Sequence, residues 1–118
     1  MKLLTATGEE AFELMADLID PISDIAADAD ILRCYKTNQK MKAIKFAMKK
    51  HPKTMTEIMA ICEGVPVSEY KKTAPEMLID VLTVVNHPTV AVLFTSQAQD
   101  VNSVTSSGSV TENTEVSE

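Results

Sequence analysis

Residues 56–97 read TEIMAICEGVPVSEYKKTAPEMLIDVLTVVNHPTVAVLFTSQ. Their punctuation decides the fold. Met59 and Cys62 close a helical apolar pattern, and Gly64 is placed to stop that helix in the left-handed conformation. Val65 to Lys72 then reads as a loop or a single turn. Thr73-Ala74-Pro75-Glu76 combines a capping box with a proline in the first turn, a strong helix start. Leu78, Ile79, Leu82 and Val85 supply the apolar face of that helix. Asn86-His87-Pro88 breaks it, and Val90, Leu93 and Phe94 belong to a second short helix. The segments VLTVV and VAVLF are β-branched, so a hairpin about the Asn86-His87-Pro88 break is the competing reading. The helix-start signals favour two helices.

Further toward the N-terminus the same logic predicts more short helices. Thr7 with Glu10 forms a second capping box, leading into Phe12, Met15, Leu18 and Ile19 at helical spacing. Pro21 ends or restarts that helix, with Asp20 capping a turn that carries Ile22 and Ile25. Asp28 and Asp30 cap a short helix through Ile31, Leu32 and Tyr35. Asn38 caps the next, whose face is Met41, Ile44, Ala47 and Met48, with Phe46 off the stripe. His51-Pro52 closes it, and Pro52 starts a helix bearing Met55, Ile58, Met59 and Cys62. The expected fold is all-α: a compact bundle of five to six short helices over residues 1–95, followed by a disordered acidic C-terminal tail over residues 96–118. That tail is rich in Ser, Thr, Asn and Glu and has no Lys or Arg, too little apolar surface to offset ordering.

One domain is all that 118 residues allow. With three Phe, two Tyr and no Trp, the core must be aliphatic and methionine-bearing. The seven Met serve either an adaptable core or an adaptable binding surface. Cys34 and Cys62 stand alone and read as reduced, buried residues of a cytoplasmic protein, since zinc or disulfide frameworks need paired cysteines. No apolar run reaches the roughly 20 residues of a membrane span. The opening MKLLTATGEEAFEL turns acidic at once, unlike a signal peptide.

Charge is segregated along the chain. Residues 1–32 hold eight acids and only Lys2 as a base, while residues 33–53 hold eight bases and no acid. Such blocks can close on each other inside one fold, join subunits head to tail, or dock a charged partner. The net charge of −6 disfavours a general nucleic-acid binder, because each phosphate contact needs a Lys or Arg. The remaining version of that idea is a small helical DNA-binding or regulatory protein using residues 33–53.

No constellation for catalysis is legible. His51 and His87 precede prolines at helix junctions, where histidines usually make capping or dipole contacts. Asp17/Asp20 and Asp24/Asp28 are carboxylate pairs at helical spacing, more in keeping with helix dipoles than with acid–base work. Neither cysteine has an evident activating base. With three glycines, phosphate-cradling loops are nearly excluded. No catalytic residue, cofactor or metal is expected.

Three passages together carry a resemblance: the basic helix KAIKFAMK at 42–49, EIMAICEGVPVSEY at 57–70, and APEMLIDVLTVVNHPTVAVLFTSQ at 74–97. In this order they resemble the small tail assembly chaperones of long-tailed phages and prophages of Gram-positive bacteria, over roughly residues 8–97. Lys71-Lys72 is a departure, where that family has a more apolar lead-in. The resemblance implies a non-catalytic, mostly helical protein of the host bacterial cytoplasm, absent from the mature virion. It implies binding to the phage tape measure protein, which is kept soluble while the tail tube assembles around it. It further implies homo-oligomers, with the tail tube protein and a frameshifted longer form of the chain as additional partners, and no nucleic acid or membrane. The candidate partner surface is Val65, Val67 and Tyr70 in the loop, with Leu93 and Phe94 near the end of the last helix.

Overall fold

Helix punctuation that can be read locally recurs in the three-dimensional structure, a computed structural model that describes residues 1–105, with side chains through residue 98. The order is α1 (Lys2–Thr5), α2 (Gly8–Ala26), α3 (Ala29–Lys36), α4 (Lys40–Lys50), α5 (Pro52–Glu63), a 3-10 turn (Val67–Glu69), α6 (Ala74–Asn86) and α7 (Pro88–Thr105). The protein is all-α, with seven helices and no strand among the described residues. The hairpin alternative is overturned: both VLTVV and VAVLF are helical. Helix α7 does not stop at Thr95, and Ala98 on it is buried, so the expected tail begins later than residue 96. Its remainder, 106–118, lies outside the described residues.

Two stops show how this chain ends its helices. Gly64 adopts φ +91, and its N–H and that of Val65 donate to the carbonyls of Ile61 and Ala60 at 3.1 Å each. Asn38 does the same after α3 at φ +61, with Gln39 N–H reaching the Cys34 carbonyl at 2.8 Å. These are Schellman closures, which need a left-handed residue. Asn38 therefore ends α3; it does not cap α4, whose N-cap is Gln39. The Thr73–Glu76 capping box forms, with Thr73 N–H donating to Glu76 Oε1 at 3.0 Å. The Thr7–Glu10 box does not, because Glu10 pairs with Lys2 at 2.9 Å instead.

Helix α2 runs unbroken through Pro21, contrary to the expected break. The proline removes one helix hydrogen bond, to the Asp17 carbonyl. Asp17 is exposed, so water can serve that carbonyl, while the Pro21 ring is buried. The buried face of α2 is Leu14, Leu18, Pro21, Ile22 and Ile25. Phe12 and Ile19, expected in the core, are 71% and 40% exposed. Likewise α6 buries Val81 and Val84 while Leu78 and Ile79 face outward, and α4 buries Ile44 and Ala47 while Met41 and Met48 do not. On α6 the packing took Val81 and Val84 instead of the expected face, whereas on α4 it kept the centre of the expected face and left its two methionines exposed. Helix α2 is the centre, packing on α3, α5 and α7, and α1 lies against α5.

The turn between α2 and α3 is fixed by Asp28. Its carboxylate caps α3, accepting from Asp30 N–H at 2.9 Å and Ile31 N–H at 3.3 Å. It also meets Lys50 Nζ at 2.9 Å and His51 Nε2 at 2.7 Å, with its side chain only 7% exposed. Burial pushes its carboxyl up, but hydrogen bonds from His51, Lys50, Ile31 and Asp30 outweigh this and hold it well below the usual range. Lys50 also pairs with Asp30, which in turn pairs with Arg33. The acidic and basic blocks thus meet inside the fold at this point.

Gly64→Ala should cost about 1–2 kcal/mol, because alanine resists the left-handed conformation. Its Cβ would also come within 2.8 Å of Lys2 Cδ. Thermal unfolding should show the loss, at about 4–8 °C per kcal/mol. Asp28→Ala should cost about 2 kcal/mol, combining a lost cap with lost hydrogen bonds to charged groups. A lowered folded-state pKa gives stability above the free carboxylate value of about 3.9, lost as pH falls below it. Denaturant titrations at descending pH should therefore show a shallower acid limb in Asp28→Asn than in wild type.

Candidate functional site

A shortage of large aromatic side chains leaves space in the middle of this protein. Six helices surround an apolar cavity of about 200 Å³. Ile22 and Ile25 of α2 and Met55, Ile58 and Met59 of α5 form its floor, all buried. Its walls are short side chains: Ala43, Ile44 and Ala47 of α4, Val84 and Val85 of α6, Val90 and Ala91 of α7. Lys40 is the one charged residue that lines it. An engineered apolar cavity of about 150 Å³ stays dry and takes a benzene-sized guest.

The cavity reaches the surface between α3–α4 and α6–α7. The lining residues there are exposed or half-buried: Tyr35, Lys40, Val85, Ala91 and Phe94. Two side-chain contacts span this mouth. Tyr35 packs edge-on against Phe94 with centroids 4.8 Å apart, and its hydroxyl shares a 2.7 Å hydrogen bond with Thr95 Oγ1. Lys40 Nζ donates to Asn86 Oδ1. Helices α3 and α4 otherwise pack chiefly on each other, so these side chains are the principal link across the opening.

The sequence-predicted partner residues do not gather in one place. Phe94 lies at the cavity mouth, and Leu93 is half-buried against the core without lining the cavity. Val65 and Val67 line a separate, more polar cleft with Asp17, Asp20 and Glu57. Tyr70 is a core residue, 6% exposed, and its hydroxyl donates to Asp80 Oδ2 at 2.9 Å. Burial, and then that bond, push its pKa up to about 12. Lys72 bridges Asp80 at 2.8 Å and Glu63 at 3.1 Å, tying the loop to α5 and α6. Burial pushes Asp80 up, but bonds from Lys72 and Tyr70 hold it below its ordinary value. Sequence reasoning missed Tyr35, Lys40, Val85 and Ala91. Val85 and Ala91 flank the Asn86-His87-Pro88 break, but no local signal joins Tyr35 and Lys40 to them.

The remaining candidates are structural. His87 Nδ1 accepts from Thr89 N–H at 3.2 Å and so caps α7, and His51 serves Asp28. Cys34 and Cys62 are buried and unpaired, and burial followed by the Glu63 charge pushes Cys62 up to about 12. Among the described residues no group of three His, Cys, Asp or Glu is placed to hold a metal ion, and no single helix is long and apolar enough to cross a membrane. Helices α6 and α7 together have the length and composition, but they are bent by 66°.

Apolar surface is not confined to the cavity. Phe12, Met41, Ile79 and Val92 are each more than 60% exposed. On α2 the acids Glu9, Glu13, Asp17, Asp20 and Asp24 make no ion pair among the described residues, and neither do Lys42, Lys45 and Lys49 on α4. Comparison with protein-family models, with curated proteins and with solved structures finds no match for this chain.

Tyr70→Phe should leave an Asp80 oxygen with one donor fewer and cost about 1 kcal/mol in denaturant unfolding. Because the raised tyrosine pKa contributes stability that is lost as pH rises beyond about 10, the variant should also lose less stability in alkali than wild type.

Proposed function

We propose that this chain is a non-catalytic phage tail assembly chaperone. It binds the tape measure protein, keeps it soluble and assists assembly of the tail tube around it, in the host bacterial cytoplasm and outside the finished virion. The observation that carries this reading is the apolar cavity open at Tyr35 and Phe94; Phe12, Met41, Ile79 and Val92 add exposed apolar side chains on four different helices. An apolar pocket that opens to the surface is a common form of interaction site. A tape measure protein is a long helical polymer with apolar faces that aggregate until covered. Methionines at 41 and 48 suit such a client, because thioethers repack against many registers. The resemblance over residues 8–97 supports the same reading.

The unpaired acids of α2 and unpaired lysines of α4 support homo-oligomers, since opposite faces on one chain join copies head to tail. Many copies along one strand make weak individual contacts sufficient. The same lysines, Lys42, Lys45 and Lys49 with Lys53, favour a second reading, a small helical DNA-binding or regulatory protein.

Co-expression with the tape measure protein of the same genome separates the two. The expected outcome is a soluble complex, with the tape measure protein insoluble when expressed alone. Separate elution of two soluble proteins would remove the chaperone reading. A mobility shift on duplex DNA that weakens steeply with salt would then support the second.

A further inference from the structure

Exposed charge on α2 and on α4 runs beside exposed apolar side chains, and the two patterns match. We propose that α2 of one copy of this chain docks antiparallel on α4 of the next. Phe12 and Ile19 pack on Met48 and Met41, Glu13 faces Lys49, and Asp20 faces Lys42. The contact deepens the homo-oligomer part of the proposed function, on which it rests, and does not involve the tape measure protein.

Helix α2 turns Leu14, Leu18, Ile22 and Ile25 inward. Helical spacing puts Glu9, Glu13, Asp17, Asp20 and Asp24 on a stripe away from that face, and all five are exposed. Phe12 and Ile19, 71% and 40% exposed, lie on the adjoining stripe, seven residues or about two turns apart. Each is followed directly by an acid, Glu13 and Asp20. Helix α4 repeats the arrangement with the opposite charge. It turns Ile44 and Ala47 inward, while Met41 and Met48, 61% and 41% exposed, stand seven apart off that face. Each is followed directly by a lysine, Lys42 and Lys49, with Lys45 between them. None of these acids and lysines makes an ion pair among the described residues.

The match also fixes direction. One residue advances about 100° round a helix, so on each helix the charge lies about a quarter turn beyond its apolar neighbour, in the same sense. Two helices laid face to face bring flanks of the same sense together only when antiparallel. Parallel helices would set the acids and the lysines on opposite edges. In the antiparallel register Phe12 meets Met48 where Ile19 meets Met41, because both pairs are about 10 Å apart along their axes. Lys45 then falls between Glu13 and Asp17.

A client helix would have to bring its own acids beside apolar residues at that spacing; α2 already has them, and every copy carries it. Each copy offers one α2 strip and one α4 strip. A contact that uses one of each is head to tail and leaves a strip free at either end. The eleven residues of α4 give about 16 Å of contact. So short a contact lies at the small end of specific interfaces, so each join should be weak and sensitive to salt.

Full-length wild type, Glu13→Lys/Asp20→Lys and Lys42→Glu/Lys49→Glu are compared by sedimentation velocity over a range of concentration and salt, with circular dichroism of each. Wild type should associate beyond the dimer, less so at high salt. Each variant alone should associate at least about tenfold more weakly, since like charges then face each other, with helix content kept. Mixed, the two should assemble again, because the reversed α2 of one meets the reversed α4 of the other; restoration of this kind shows that both are folded. For direction, Phe12→Cys mixed with Met48→Cys should form an intermolecular disulfide on mild oxidation, and Phe12→Cys mixed with Met41→Cys should not. The native cysteines are both buried. The reverse pattern overturns the antiparallel arrangement. Wild type that stays monomeric up to about 1 mM, or variants that associate as wild type does, would overturn the whole contact. So would variants that keep self-association and lose binding to the tape measure protein or to duplex DNA, which is then the occupant of that strip. If wild type retains no tape measure protein on co-expression, the chaperone reading falls, and the α2–α4 contact is still decided by these measurements.

Discussion

Everything in this molecule leans on one face of α2. Leu18 is completely buried there, with Leu14, Pro21, Ile22 and Ile25 around it, and α3, α5 and α7 pack on that helix. A proline in the interior ordinarily disrupts a helix. Here the stripe continues across Pro21 without a shift of phase, and the burial of five apolar side chains offsets the one missing hydrogen bond. Had α2 broken at Pro21, Ile22 and Ile25 would leave the face that carries the rest, and the floor of the cavity would go with them.

The second constraint is volume. A domain of this length without Trp and with three Phe must fill its interior with aliphatic side chains on short helices. Of the three Phe, Phe12 points outward, and Phe46 and Phe94 lie at the margin of the core. The centre is left to Ile, Val, Met and Ala. Protein interiors are normally close-packed, so the unfilled space between α3–α4 and α6–α7 stands out as a departure. It lies where two helix pairs are joined across an opening by a few side chains, so underfilling, access and few fixed contacts coincide there.

Electrostatics divide in a comparable way. The acidic residues 1–32 and the basic residues 33–53 meet at Asp28, where Lys50 and His51 converge on one buried carboxylate. That junction sets the turn from α2 to α3 and docks the end of α4. Among the described residues Glu9, Glu13, Asp17, Asp20 and Asp24 of α2 and Lys42, Lys45 and Lys49 of α4 stay outside this junction and make no ion pair.

The sequence by itself determined the all-α class, the stop at Gly64, the cap at Asp28, the start at Thr73–Glu76, the break at Asn86-His87-Pro88 and the buried set on α5. Each is a contest between neighbours in the chain, settled by backbone hydrogen bonds within a few residues. Tertiary structure decided which apolar residues of α2, α4 and α6 go inside. It also decided that Glu10 serves Lys2 and not Thr7, that Tyr70 belongs to the core, and that Tyr35, Lys40, Ala91 and Phe94 share a mouth. Helical periodicity reports how apolar residues are spaced and carries no record of what lies opposite them. Which residues go inside depends on the volume and distance of partners such as Thr95, sixty positions from Tyr35, and only the packed chain supplies those.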